Sequence, residues 1–144
     1  MGLYLLRILL AALLGLLVGF TVTYEERIPS ARMFSIICMG SALVTVIGIG
    51  VYQSLAISWT GDPGRLPAQI ISALGFLGTG FILIKEDHVV TGISGASAMW
   101  LTAILGMLIG MGLNQATIMG LFFFLIVYWL SHIITAYIRK RNIS

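Results

Sequence analysis

The stretch "DPGRLPAQIISALGFLGTGFI", residues 62–82, decides how this chain is read. It is apolar enough to enter lipid, yet it opens with Asp62, Arg65 and Gln69 and then carries Gly75, Gly78 and Gly80. Asp62 ahead of Pro63 signals a helix start. Leu66, standing before Pro67, prefers an extended backbone, so the helix is expected to begin at Pro67 with "GDPGRL" as an ordered cap across its mouth. Steps of four, three and four then place Ala68, Ser72, Gly75 and Thr79 on one face, with Gln69 and Phe76 at the neighbouring angle. The result is a groove of small side chains with a polar mouth. In a bilayer, small residues let a second helix backbone come close.

The rest of the chain supplies that second helix. Of 144 residues, 59% are hydrophobic and 9% charged, and the mean hydropathy is +1.06. A water-soluble domain of this size needs far more polar surface. Five apolar blocks approach the ~20 residues that a span needs: Leu3–Thr23, Met33–Ile57, Pro67–Lys85, Ser94–Leu113 and Ala116–Ile138. The expected fold is all-α: a polytopic membrane helix bundle with five transmembrane helices, forming a single membrane domain over 1–144. The first block is expected to be a retained span and not a secretory leader, because Arg7 lies inside the apolar run and the run continues to Val22, beyond a signal core of ~7–15 residues.

Basic residues sit at the span ends. With the C-terminus cytoplasmic, Arg27, Arg32, Lys85, Arg139, Lys140 and Arg141 lie inside, and Arg7 and Arg65 outside. The positive-inside rule therefore orients the N-terminus out and the C-terminus in. The net charge of +3 is too scattered to suggest nucleic acid. The single cysteine, Cys38, is expected to be a buried small hydrophobe.

Two further seams of small residues stand out. Ser94, Ala98, Thr102, Gly106 and Gly110 recur at every fourth position, and so do Ala11, Gly15 and Gly19. The fourth span is the expected partner of the third. The seams suffice for packing within the bundle and equally for docking onto another protein. Asp62 and Arg65 read either as a helix cap with an interfacial anchor or as an ion pair that positions Gln69 in a solvated cleft. Trp100 falls within the fourth span, where its indole N–H needs a partner. His88 and His132 lack ligand spacing with Cys38 or the acids, so no catalytic residue, metal or cofactor is expected and the chain does not read as an enzyme. None of Glu25, Glu26, Asp62, Glu86 and Asp87 falls mid-span, which argues against a midplane Mg²⁺ site.

The order Asp62, Arg65, Leu66, Gln69, Ile70, Ile71, Ser72, Gly75, Phe76, Leu77, Gly78 and Gly80, followed by Gly92, Ile93, Ala96 and Trp100, resembles the signature of the MgtC/SapB family of bacterial inner-membrane proteins. It departs from that pattern at Ala73, where the family usually has Gly, at Thr79 where it has Ala, at Pro67 for a common Ala, at Ser94 for a common Asn, and at Leu101 for a common Cys. Many members carry a soluble C-terminal domain; with its last residue at Ser144, the chain reads as the short form. The resemblance implies a link to growth in low magnesium, to virulence and survival inside host cells, and to control of ATP synthase or phosphate uptake.

These readings lead to two expectations. One is a regulatory protein of the bacterial inner membrane, self-associating as a homo-oligomer or docked on a larger membrane protein, with the lipid bilayer as its surroundings. Its functional face would comprise Asp62, Arg65, Gln69, Ser72, Gly75, Gly78 and Gly80, with Gly92, Ser94, Ala98, Trp100 and Thr102 as the second helix face. The other is a small transporter or channel for Mg²⁺ or another solute, using Gln69, Ser72, Thr79, Ser94, Ser97 and Thr102 to line a wet cleft.

Overall fold

Apolar runs without internal proline set the long helices. The computed structural model describes residues 2–26, 31–54, 62, 64–84, 90–112 and 114–141. Its elements are α1 (Gly2–Glu26), α2 (Ala31–Ser54), α3 (Arg65–Thr79), β1 (Leu83–Ile84), β2 (Val90–Thr91), α4 (Ile93–Met111) and α5 (Gln115–Arg141). The fold is an all-α helical bundle of membrane type. Among the described residues, three helical stretches are long and apolar enough to cross a bilayer: Gly2–Val22, Ala31–Ser54 and Ile93–Met111.

Residues 1–112 form one compact unit and residues 113–144 a second. In the first, α2 packs between α1 and α4. Gly15 of α1 lies against Phe34, Ser35 and Cys38, and Gly19 against Ala31, so α1 and α2 run antiparallel. Gly106 of α4 lies against Cys38 and Ser41, and Gly110 against Ala42 and Thr45, so α2 and α4 run parallel. The core is small and partly polar. Phe34, Cys38, Ser41, Ala42, Thr45 and Gly48 are the buried stripe of α2. Thr45 donates its hydroxyl to the Ser41 carbonyl at 2.8 Å, and Ser35 donates across the helix pair to the Ala12 carbonyl at 2.9 Å. In the second unit, the Asn114 side-chain oxygen caps α5, accepting from the Thr117 backbone N–H at 2.8 Å and its hydroxyl at 2.9 Å.

The third element differs from its sequence reading at both ends. α3 begins at Arg65, not at Pro67. Its first ladder bond runs from the Ala68 N–H to the Gly64 carbonyl at 2.9 Å. Pro67 thus falls in the first turn, where backbone N–H groups have no helical partner to lose. The helix also stops at Thr79, short of the expected Lys85. Gly78 and Gly80 favour that stop, and the N–H groups of Gly80, Phe81 and Ile82 bond three residues back, tightening the last turn. The β-branched and apolar residues that follow pair as a short antiparallel hairpin, Leu83 with Thr91 and Ile84 with Val90. With 15 residues α3 is about 22 Å long, less than the ~30 Å hydrocarbon thickness.

Gly92 joins this hairpin to α4. Its φ of 87° is left-handed, and a side chain there would collide with the Phe81 carbonyl. Gly92→Ala is expected to destabilise the protein by more than about 1 kcal/mol. Gly106→Val, which pushes a Cβ into the Cys38 carbonyl, is expected to cost about 1–3 kcal/mol. Gly75→Ala, whose Cβ meets no atom within 4 Å, is expected to leave stability unchanged or slightly raised. Thermal unfolding in detergent followed by circular dichroism checks all three. A Gly75→Ala loss as large as that of Gly106→Val would contradict the packing described.

Candidate functional site

α3 is held to the rest of its unit on one side only. Leu74 and Gly78 are its buried residues, and a Cβ on Gly78 would sit 3.8 Å from the Ala96 Cβ and 3.9 Å from the Met99 Cε. α4 is therefore the main packing partner of α3, as the sequence suggests, and α2 a lesser one. Most of the remaining α3 surface is exposed: Arg65, Ala68, Gln69, Ser72, Gly75, Phe76 and Thr79. The small-residue face inferred from the spacing is a real face of the helix: Ala68, Gln69 and Ser72 lie open, while Gly75 and Thr79 border a groove on the α4 side.

The polar mouth is likewise open. One Asp62 carboxylate oxygen accepts the Gly64 backbone N–H at 2.8 Å, and the Asp62 carbonyl accepts from the Arg65 N–H at 3.2 Å. This local turn leads the chain into α3. Of the two readings of Asp62 and Arg65, the ion pair that positions Gln69 in a cleft does not form. All three are exposed, and no ion pair joins Asp62 to Arg65. The carboxylate is engaged by a backbone donor two residues away, at a separation the chain itself fixes.

Between α3 and α4 runs an open groove of about 460 Å³, its walls formed by Leu74, Gly75, Gly78, Thr79, Ala96 and Trp100 among others. Trp100 is 42% exposed on the groove wall. The hydroxyls near it point back to their own helices. Thr79 donates to the Phe76 carbonyl at 2.7 Å, Ser97 to the Ile93 carbonyl at 2.9 Å, and Thr102 to the Ala98 carbonyl at 2.7 Å. The groove is therefore apolar, suited to a hydrocarbon chain or an apolar helix face more than to a hydrated ion.

The α4 seam divides along its length. Ser94 is exposed and Ala98 half-buried, while Thr102, Gly106 and Gly110 are buried. Its lower part is the α2 contact. The α1 seam of Ala11, Gly15 and Gly19 is also used against α2. Two features escaped the sequence reading. One is the α2 stripe itself, legible as small and apolar residues three or four apart. The other is the surroundings of Arg7, which lies against Gly112 at the end of α4. Trp59, Arg27, Lys85, Glu86, Asp87 and His88 lie outside the described residues, as do the side chains of Glu25, Glu26, His132, Arg139 and Lys140. Among the described residues, no three His, Cys, Asp or Glu side chains gather as metal ligands.

Comparison with known proteins agrees with the resemblance carried by the motif order. The sequence model of the MgtC family matches residues 8–137. The "Putative magnesium transporter YhiD" of Escherichia coli K12 is 31% identical over 141 residues, covering 96% of this chain and 65% of that protein. "Protein SapB" of Bacillus subtilis is 31% identical, covering 85% of this chain and 53% of that protein. "Protein MgtC" of Salmonella typhimurium LT2 is 34% identical over 109 residues, covering 76% of this chain and 44% of that protein. The chain thus spans between 44% and 65% of the length of these relatives. No solved structure matches it. The chain belongs to the MgtC family.

Proposed function

We propose that this member of the MgtC family is a regulatory protein of the bacterial inner membrane, which works by docking the exposed face of α3 onto a helix of a larger membrane protein. The observation that carries this reading is a contrast between like seams. The small residues of α1 and lower α4 are filled by α2, whereas Gly75 of α3 meets no atom within 4 Å. Beside it stand the Gln69 amide and a large exposed aromatic, Phe76, 80% accessible. An amide facing hydrocarbon is costly until it finds a partner, and close approach over Gly75 would bring one within reach. The orientation proposed is N-terminus out and C-terminus cytoplasmic. Five spans and self-association through the same face belong to this reading. Its link to magnesium, virulence and control of energy or phosphate metabolism rests on family resemblance alone.

Gly75→Leu fills that face without touching the α1–α2–α4 core. In mild detergent the unaltered chain is expected to co-purify with a larger membrane protein, and Gly75→Leu to recover at least about tenfold less of it. A chain that emerges only as a homo-oligomer, unaffected by Gly75→Leu, would overturn docking on a foreign partner.

A second reading, transport of Mg²⁺, is favoured by the printed name of the E. coli relative. Mg²⁺ retains its waters and takes one or two carboxylates, and the groove hydroxyls of Thr79 and Ser97 already donate to their own helices. Flux into proteoliposomes separates the two. If the chain is a transporter, Gln69→Leu should slow Mg²⁺ entry; equal flux in both proteins ends that reading.

A further inference from the structure

Arg7 lies in α1, five residues after the first described residue of the helix and about 7.5 Å along its axis. It falls inside the stretch Gly2–Val22, which is long and apolar enough to cross a bilayer. A guanidinium stays charged at any physiological pH, and a charge within a span is costly unless it is paired or reaches the interface. The side chain reaches toward the N-terminal end, as helix side chains do. Its guanidinium carbon lies 5.5 Å from the ring centre of Tyr4, one turn nearer the terminus. There it meets the end of α4. A Cβ on Gly112 would stand 3.2 Å from one terminal nitrogen of Arg7 and 3.7 Å from the other.

This corner holds a positive group with little to balance it. The Arg7 Nε is buried and has no hydrogen-bond partner. Among the described residues no carboxylate pairs with Arg7; Asp62, the described acid with a placed side chain, is engaged by the Gly64 N–H. The C-terminal end of α4 contributes only about half a negative charge. At these ends of α1 and α4 the apolar side chains Leu3, Leu5, Leu6 and Met111 are all exposed. Tyr4, half exposed, is a ring of the kind that settles at headgroup depth.

We propose that the corner between the start of α1 and the end of α4 is a binding site for an anionic phospholipid. Arg7 holds the phosphodiester through its planar fork, which matches two phosphate oxygens. Tyr4 fixes the plane of the fork, and the exposed leucines receive the acyl chains. The site is independent of the α3 face, so either can fail without the other.

Native mass spectrometry of the detergent-solubilised chain tests this, with phosphatidylglycerol, phosphatidylcholine and inorganic phosphate as separate probes. The unaltered chain is expected to retain one phosphatidylglycerol under conditions that strip phosphatidylcholine. Arg7→Gln should lower that retention about tenfold or more, while Arg65→Gln leaves it unchanged. Equal retention in Arg7→Gln and the unaltered chain overturns the site. Displacement of the lipid by millimolar inorganic phosphate overturns the lipid assignment in favour of a soluble anion. Where Arg7→Gln fails to fold, the unaltered chain decides alone: its thermal midpoint must rise more with phosphatidylglycerol than with phosphatidylcholine, and equal midpoints overturn the proposal.

Discussion

Everything in the 1–112 unit depends on backbone meeting backbone along α2. The carbonyls of Phe34, Cys38 and Ala42 occupy the space where side chains would stand at Gly15, Gly106 and Gly110. Lipid tails are as apolar as leucine, so burial alone gives helices little reason to associate in a bilayer. Contact area and hydrogen bonds must supply the attraction, and only bare backbone permits this degree of approach. The consequence is a core of small residues and hydroxyls, such as Ser41, Thr45 and Thr102, in place of interdigitated leucines. A few large apolar side chains, Phe34, Met99, Leu105 and Ile109, are buried beside them, while many others, such as Leu5, Leu17 and Phe20, lie exposed.

That arrangement separates glycines that build the fold from glycines available for something else. A small residue carries no label; what stands opposite decides its use. Gly15, Gly19, Gly106 and Gly110 each have backbone opposite them, and so belong to the bundle. Gly75 has open space, and the groove beside it is apolar. α3 is also the shortest helix and the one that ends in an unwound turn and a hairpin. It is anchored through Leu74 and Gly78 on one side and leaves the other side to its surroundings.

Sequence reading found the helices more surely than their pairings. The runs Leu3–Thr23 and Ser94–Leu113 lie within two residues or so of α1 and α4 at most ends, because continuous apolarity bounded by Gly, Asn or charge is a local signal. The fours-spaced seams were legible for the same reason. Which helix fills a seam was not, since spacing reports the side of a helix and not its neighbour. The α4 seam was therefore assigned to α3, although Gly106 and Gly110 meet α2. The α2 stripe went unseen because it mixes Phe34 with Cys38 and Ser41 and shows no uniform size. The end of α3 was misplaced because Ile82–Ile84 continue the apolar run, although Gly78 and Gly80 already marked the stop. Opposite charges three apart left two readings of Asp62 and Arg65 open, a cap with an interfacial anchor or an ion pair, and the ion pair does not form. A backbone N–H at fixed separation outcompetes a long, mobile guanidinium exposed to solvent.

Arg7 and Gln69 both stand about one turn into a helix without serving the core, and the difference in their stems separates their needs. Arg7 has three methylenes and a fork that extends toward the terminus, so it can lie at headgroup level while its backbone remains in the span. Its requirement is an anion at the interface, which a bilayer provides without any protein. Gln69 lies four residues into α3, about 6 Å along its axis, on a stem one methylene shorter and with no charge to draw it to the surface. An amide needs both a donor and an acceptor, and hydrocarbon offers neither. On the proposed reading, in which α3 faces hydrocarbon, the lipid satisfies the α1 corner but not the Gln69 amide, and that asymmetry is the reason to look for a protein partner at α3.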